Sequence, residues 1–275
     1  MSVLEEKEQR ISEEKSQLDL SRYLLFLRHK KAYLFAGTKE YCQDKRVLDY
    51  GCGNGYGSFL LAKVARKVTA VDIDPTAIED SRQKYRAENL SFELIAPEIQ
   101  TNFADRSFDL IVSFQVIEHI LDVKKYLNEL KRMLSDKGVL IITTPNRRYR
   151  LYPFQKPVNP CHIREYNLKT FSKQLGSIFP QVTIFGITGT EEIIRIERKR
   201  LKKSVVNAFL RYPLKRMIIS LAPRLLKKRK NISKEEIFHS TQEAENLSRF
   251  TVDDYKIIAE NPDTGLDFMA LLKKS

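Results

Sequence analysis

Apolar positions recur along this chain at two different spacings. Residues 18–37, LDLSRYLLFLRHKKAYLFAG, carry leucines and aromatics at helical intervals and predict an N-terminal helix. From residue 46 short apolar runs alternate with amphipathic segments. RVLDY, KVTAVDI, LSFELI, FDLIVSF and GVLIITTP read as strands, while GSFLLAKVA, PTAIEDSRQKYRAE and VKKYLNELKRML read as the helices between them. Pro75 suits the first turn of its helix, with Asp74 placed to cap it. After Pro145 comes a long loop with three prolines, NRRYRLYPFQKPVNPCHIREY, then a helix, NLKTFSKQLGSI, and two more strands, QVTIFGITG and LDFMALLKK. Short apolar strands separated by helices imply a parallel sheet covered on both faces. The expected fold is α/β: a doubly wound, mostly parallel, seven-stranded sheet. The expected division is an N-terminal helical segment over 1–40, a core formed by 41–190 and 246–275, and a helical insertion over 191–245 before the last strand.

Between the first strand and the first helix lies VLDYGCGNGYGS, with glycines at alternate positions from 51 to 57. Gly51, Gly53 and Gly55 allow a tight turn and let a ligand lie against the main chain, where backbone N–H groups are exposed. A glycine-rich turn without a ligand is the competing reading. Asp72 ends the second strand at the distance where an acid meets the two hydroxyls of a ribose, which favours a nucleoside ligand.

Charge sharpens the domain picture. The net charge of +13 resides in residues 195–230, where fourteen Lys or Arg face one acid, Glu197; the remainder carries 34 basic and 34 acidic residues. A neutral body with one basic insert is unlike a uniformly basic nucleic-acid binder. The apolar clusters VVNAFL and MIISLA within the insert suit a segment lying on an anionic membrane surface, a helical cap being the plainer reading. RNA ranks third, because Phe209 and Tyr212 are the insert's few aromatics. Cys42, Cys52 and Cys161 fit neither a disulfide framework nor a zinc knuckle. No signal peptide or membrane span is read, so the expected location is the cytoplasm, with peripheral membrane contact through the insert.

Taken in order, VLDYGCGNGYGS, VTAVDIDPTAI, SFDLIVSFQVIEHI and MLSDKGVLIITTPN resemble the successive motifs of class I S-adenosylmethionine-dependent methyltransferases, over roughly the first 190 residues and the last strand. The resemblance implies a Rossmann-like methyltransferase fold and S-adenosylmethionine as cofactor. It places Gly51, Gly53 and Gly55 beneath the cofactor, Asp49 near its methionine end, Asp72 on the ribose and Ile73 against adenine. Where the family has an acid contacting adenine, this chain has Pro97 with Glu98 beside it. Gln115 is assigned to the methionine end. In quinone-biosynthesis O-methyltransferases an acid stands at that position ahead of the Glu-His pair. With Gln115 there, Glu118 and His119 alone make a poor site for a hard cation, and no metal is expected.

In-line displacement on an activated sulfonium methyl depends chiefly on positioning. A base for an acceptor hydroxyl adds to it. His119 after the fourth strand and His162 in the long loop are the catalytic candidates. Their alternatives are a packed, loop-holding His119 and a polar brace of His162, Arg164 and Glu165. NPCHIREY and the basic insertion resemble a subset that methylates sugar hydroxyls, so the expected acceptor is a small molecule, a sugar or a lipid-linked glycan. Quinone- or lipid-type methylation, RNA methylation and a non-catalytic cofactor-binding module are the rival functions.

Overall fold

The computed structural model describes residues 20–97, 100–151, 155, 157, 159, 161–206 and 249–274. Its centre is one eight-stranded sheet ordered β3-β2-β1-β4-β5-β8-β6-β7. The strands are β1 Arg46–Tyr50, β2 Lys67–Asp72, β3 Leu90–Leu94, β4 Phe108–Phe114, β5 Leu134–Pro145, β6 Gln181–Gly189, β7 Tyr255–Ile258 and β8 Asp267–Lys273. The first five pair in parallel; β8 runs antiparallel between β5 and β6, and β7 is antiparallel at the edge.

The seven strands expected are present, and β7 is an eighth. Four residues long, with only Tyr255 fully buried, it carries too little apolar pattern to announce itself. Tyr255 fixes it by donating its hydroxyl to the Leu24 carbonyl at 2.8 Å.

Helices cover both faces. α1 Leu20–Ala36, α3 Tyr56–Ala62 and α4 Pro75–Lys84 enclose one core, with Leu24, Tyr33, Leu61 and Ile78 against Val47, Val68 and Leu110. α5 Val123–Met133 and α6 Leu168–Gly176 enclose the other, with Tyr126, Leu130, Phe171 and Leu175 against Leu48, Ile111, Ile142 and Phe268. Each such fully buried apolar side chain contributes roughly 1.5–3 kcal/mol. α2 Lys39–Cys42 is a single turn before β1. The helix starts follow their capping residues: Asp74 accepts from Thr76 and Ala77 amides, Asp122 from Lys125, and Asn167 forms a capping box with Thr170. Parallel strands that end at one edge present their following loops together, which places the site.

α7 Glu191–Val206 begins the basic insertion. Residues 207–230, on which the lipid-surface expectation chiefly rests, lie outside the described residues, as does Glu98. Among the described residues no helix is long and apolar enough to cross a membrane.

Candidate functional site

β1 and β4 are neighbours at the point where strand order reverses, and the loops that follow them diverge there. The loop after β1 turns through Gly51, Gly53 and Gly55 at φ of 81°, 55° and 77°, left-handed values that glycine adopts without a Cβ penalty. A Cβ on Gly53 would meet no protein atom within 4 Å, so open space lies above this residue. Gly57 differs in kind: its missing Cβ lets the Tyr33 ring lie directly on α3. Because α3 has seven residues, the loop backbone rather than a helix dipole supplies the floor.

Asp72 braces that loop. Its Oδ2 accepts from the Gly53 amide at 2.8 Å and its Oδ1 from the Asp74 amide at 3.0 Å. A carboxylate oxygen can accept more than one hydrogen bond, so these amide bonds are compatible with a diol at the same group. Ile73, the next residue, is 59% exposed, an apolar surface offered at the strand end. Asp49 lies beneath the loop, fully buried, and accepts from Ser58 Oγ at 2.6 Å and from the Tyr33 hydroxyl at 3.1 Å. Burial pushes its carboxyl up to about 7, against those hydrogen bonds. Asp49 therefore supports the floor from below.

The loop after β4 completes the opposite wall. Val116 packs where a Cβ of Gly51 would stand, joining the two loops. Gln115, at φ 59°, points Nε2 toward Asp267 Oδ2 at 3.3 Å and Thr143 Oγ1 at 3.4 Å. Ile117–His119 form a 3-10 turn in which Glu118 is fully buried. Burial pushes the Glu118 carboxyl up to about 8, partly offset by hydrogen bonds that include the Thr144 hydroxyl at 3.0 Å.

The long loop after β5 is stapled onto this turn. The amides of Ile163 and Arg164 donate to the Glu118 carbonyl, and Arg164 Nη2 donates to the Leu121 carbonyl at 2.8 Å. His119 and His162 meet edge to face with ring centroids 4.7 Å apart. His119 Nδ1 lies 3.0 Å from the Cys161 carbonyl, and His162 Nδ1 lies 3.1 Å from Glu165 Oε1. Burial works against the Glu165 charge, but His162 and Arg150 outweigh it and hold the carboxyl below its usual range. The brace read from NPCHIREY thus exists as His162–Glu165–Arg150, with Arg164 serving the Leu121 carbonyl instead.

Sequence reading joined Gly51, Gly53, Gly55, Asp72, Ile73, Gln115, His119 and His162, and all lie at this edge of the sheet. It missed Arg28, which donates Nε to Asp267 Oδ2 at 2.8 Å from inside α1. Its place on the helical face of Leu24 and Ala32, four residues to either side, was the available signal.

Residues 42–176 match the family described as a methyltransferase domain. A probable S-adenosylmethionine-dependent methyltransferase of Mycobacterium tuberculosis (strain H37Rv) is 40% identical over 54% of this chain and 53% of its own. A ubiquinone biosynthesis O-methyltransferase of Bartonella tribocorum is 30% identical over 40% and 44%. A solved S-adenosylmethionine-dependent methyltransferase of Thermotoga maritima, possibly a histamine N-methyltransferase by its own description, superposes with a TM-score of 0.54 at 16% identity, covering 91% and 93%. Residues 42–176 belong to the class I S-adenosylmethionine-dependent methyltransferases. The chain spans about half the length of the curated relatives it matches.

S-adenosylmethionine is the cofactor of this family. The residues present fit it, because the open volume over Gly53 is a cradle that a Cβ would fill and the exposed Ile73 offers adenine an apolar face. In this methyltransferase core Asp72 would hold the ribose and Gln115 the methionine end, while Asp49 keeps the floor in shape.

Proposed function

We propose that the chain methylates a hydroxyl oxygen of a small-molecule acceptor, most suitably a sugar or lipid-linked glycan. S-adenosylmethionine supplies a methyl on a sulfonium, an electrophile that needs alignment more than activation. The observation that carries the reading is the His119–His162 pair, formed where the long loop meets the turn after β4. An acceptor oxygen there gives up its proton at the pair and forms the O–CH3 bond as the carbon–sulfur bond breaks, with that electron pair remaining on sulfur. Leu121 and Ile163, 78% and 46% exposed beside the histidines, offer apolar contact to the rest of the acceptor. The same apolar pair, together with the relative named for ubiquinone biosynthesis, favours a quinone-type phenol as the second reading.

The test is transfer of labelled methyl from S-adenosylmethionine into cell-extract fractions. Label in a carbohydrate or glycolipid fraction that falls at least about 10²-fold with His119→Ala or His162→Ala supports the first reading. Label confined to a phenolic fraction supports the second, and label in neither contradicts both.

A further inference from the structure

Three side chains at the β4 edge each have a hydrogen-bond partner of their own. Glu165 Oε1 faces His162 Nδ1, the Cys161 carbonyl faces His119 Nδ1, and the Thr144 hydroxyl donates to Glu118 Oε2. An acceptor on Nδ1–H fixes the tautomer that presents Nε2, which is how metal-binding imidazoles are oriented. Donor atoms of Glu118, His119 and His162 lie within 4.8 Å of one another. Glu118 Oε1 is buried without a hydrogen-bond partner, a costly state for a carboxyl oxygen unless something else satisfies it.

We propose that Glu118, His119 and His162 bind one divalent first-row transition ion, of the zinc type. Two imidazoles and one carboxylate suit such an ion and are a poor match for magnesium or calcium, which take oxygen ligands. Three protein donors leave a coordination position open, as catalytic zinc sites do. The sequence pointed the other way, because Gln115 stands where an acid would complete a local set with Glu118 and His119. The third donor instead comes from the loop after β5, and only the fold brings it in. Ion binding stands apart from the methyl-transfer reading, whereas its role rests on that reading: at the open position an acceptor hydroxyl loses its proton to solvent more readily. The imidazoles then hold the ion instead of taking the proton themselves.

The experiment titrates chelator-treated full chain with Co²⁺, reading visible d–d absorption, and then displaces Co²⁺ with Zn²⁺. One equivalent should bind, with affinity reduced at least about tenfold in His162→Ala and Glu118→Gln. Glu165→Gln retains all three donors and should weaken binding by about tenfold, so it carries the test should His162→Ala fail to fold by circular dichroism. Absence of saturable binding, or affinities equal to wild type in these variants, overturns the proposal. So does an intense thiolate band lost in Cys161→Ser while His162→Ala is unaffected. Calorimetry of S-adenosylmethionine on the metal-free protein separates the two claims: failure there with ion binding intact removes the methyltransferase reading alone.

Discussion

Arg28 of α1 and Asp267 at the start of β8 meet at 2.8 Å, with both side chains at most 3% exposed. Glu197 of α7 adds its Oε1 at 3.5 Å from Arg28 Nη1. Burial opposes the Arg28 charge, but Asp267 and Glu197 outweigh it and hold the guanidinium protonated. One cation thereby ties the N-terminal helix and the root of the basic insertion to the strand whose aspartate faces Gln115.

Replacing Arg28 by methionine leaves buried Asp267 without its hydrogen-bonded counterion and leaves Glu197 to Arg200 alone. We expect a loss on the order of 3–5 kcal/mol in urea unfolding, since removing one partner strands the other charge. The double variant Arg28→Met, Asp267→Asn should recover part of that loss. A single variant within 1 kcal/mol or so of wild type would show that the pair does not hold these elements together.

Asp49 gives the fold a pH dependence of definite sign. Burial raises its carboxyl from 3.8 to about 7, the Ser58 and Tyr33 hydrogen bonds oppose the rise, and Asp72 adds repulsion. Between those values the folded chain holds more protons at this site than the unfolded chain. Its contribution to stability therefore falls as pH rises from about 4 to 7, by at most on the order of 1 kcal/mol per pH unit, and is level above. Asp49→Asn removes the titration. Urea unfolding across that window should show a shallower decline in the variant, and identical slopes would place the Asp49 pKa elsewhere.

Ile73 packs on little within the protein, so its loss should leave stability nearly unchanged, within about 0.5 kcal/mol. Ile73→Asp should weaken S-adenosylmethionine binding, by about tenfold for the lost apolar contact and the added charge. Calorimetry reads the affinity and thermal unfolding reads the stability. Full affinity in the variant would remove Ile73 from the adenine site.

Much of this arrangement was legible in the residues because local pattern and tertiary role agree. The glycine turn, Asp72 at a strand end, Asp74 before Pro75 and the apolar runs of β1 to β6 each state a local preference that the fold keeps. β7 escaped notice because its four residues are held by a contact to α1 distant in sequence. Arg28, Asp267 and the joining of His162 to Glu118 and His119 were hidden for a related reason. Each depends on which loops and helices meet at the sheet edge, and no periodicity records such meetings.

Gly55 tests the loop's shape in isolation from its ligand. At φ 77° a side chain is strained, and a Cβ would stand 2.7 Å from both Phe92 Cε1 and Ser81 Oγ. Gly55→Ala should therefore lower stability by about 1–3 kcal/mol in thermal or urea unfolding. Wild-type stability would mean that the loop relaxes freely.

Gly53 provides the contrast that bears most directly on the cofactor floor. Its Cβ position meets no protein atom within 4 Å, and asparagine tolerates its φ of 55°. Gly53→Asn should fold with a melting temperature close to wild type and yet bind S-adenosylmethionine at least about tenfold more weakly in calorimetry, because the new side chain fills space reserved for the cofactor. Unchanged affinity in a folded Gly53→Asn protein would contradict the placement of S-adenosylmethionine over this loop.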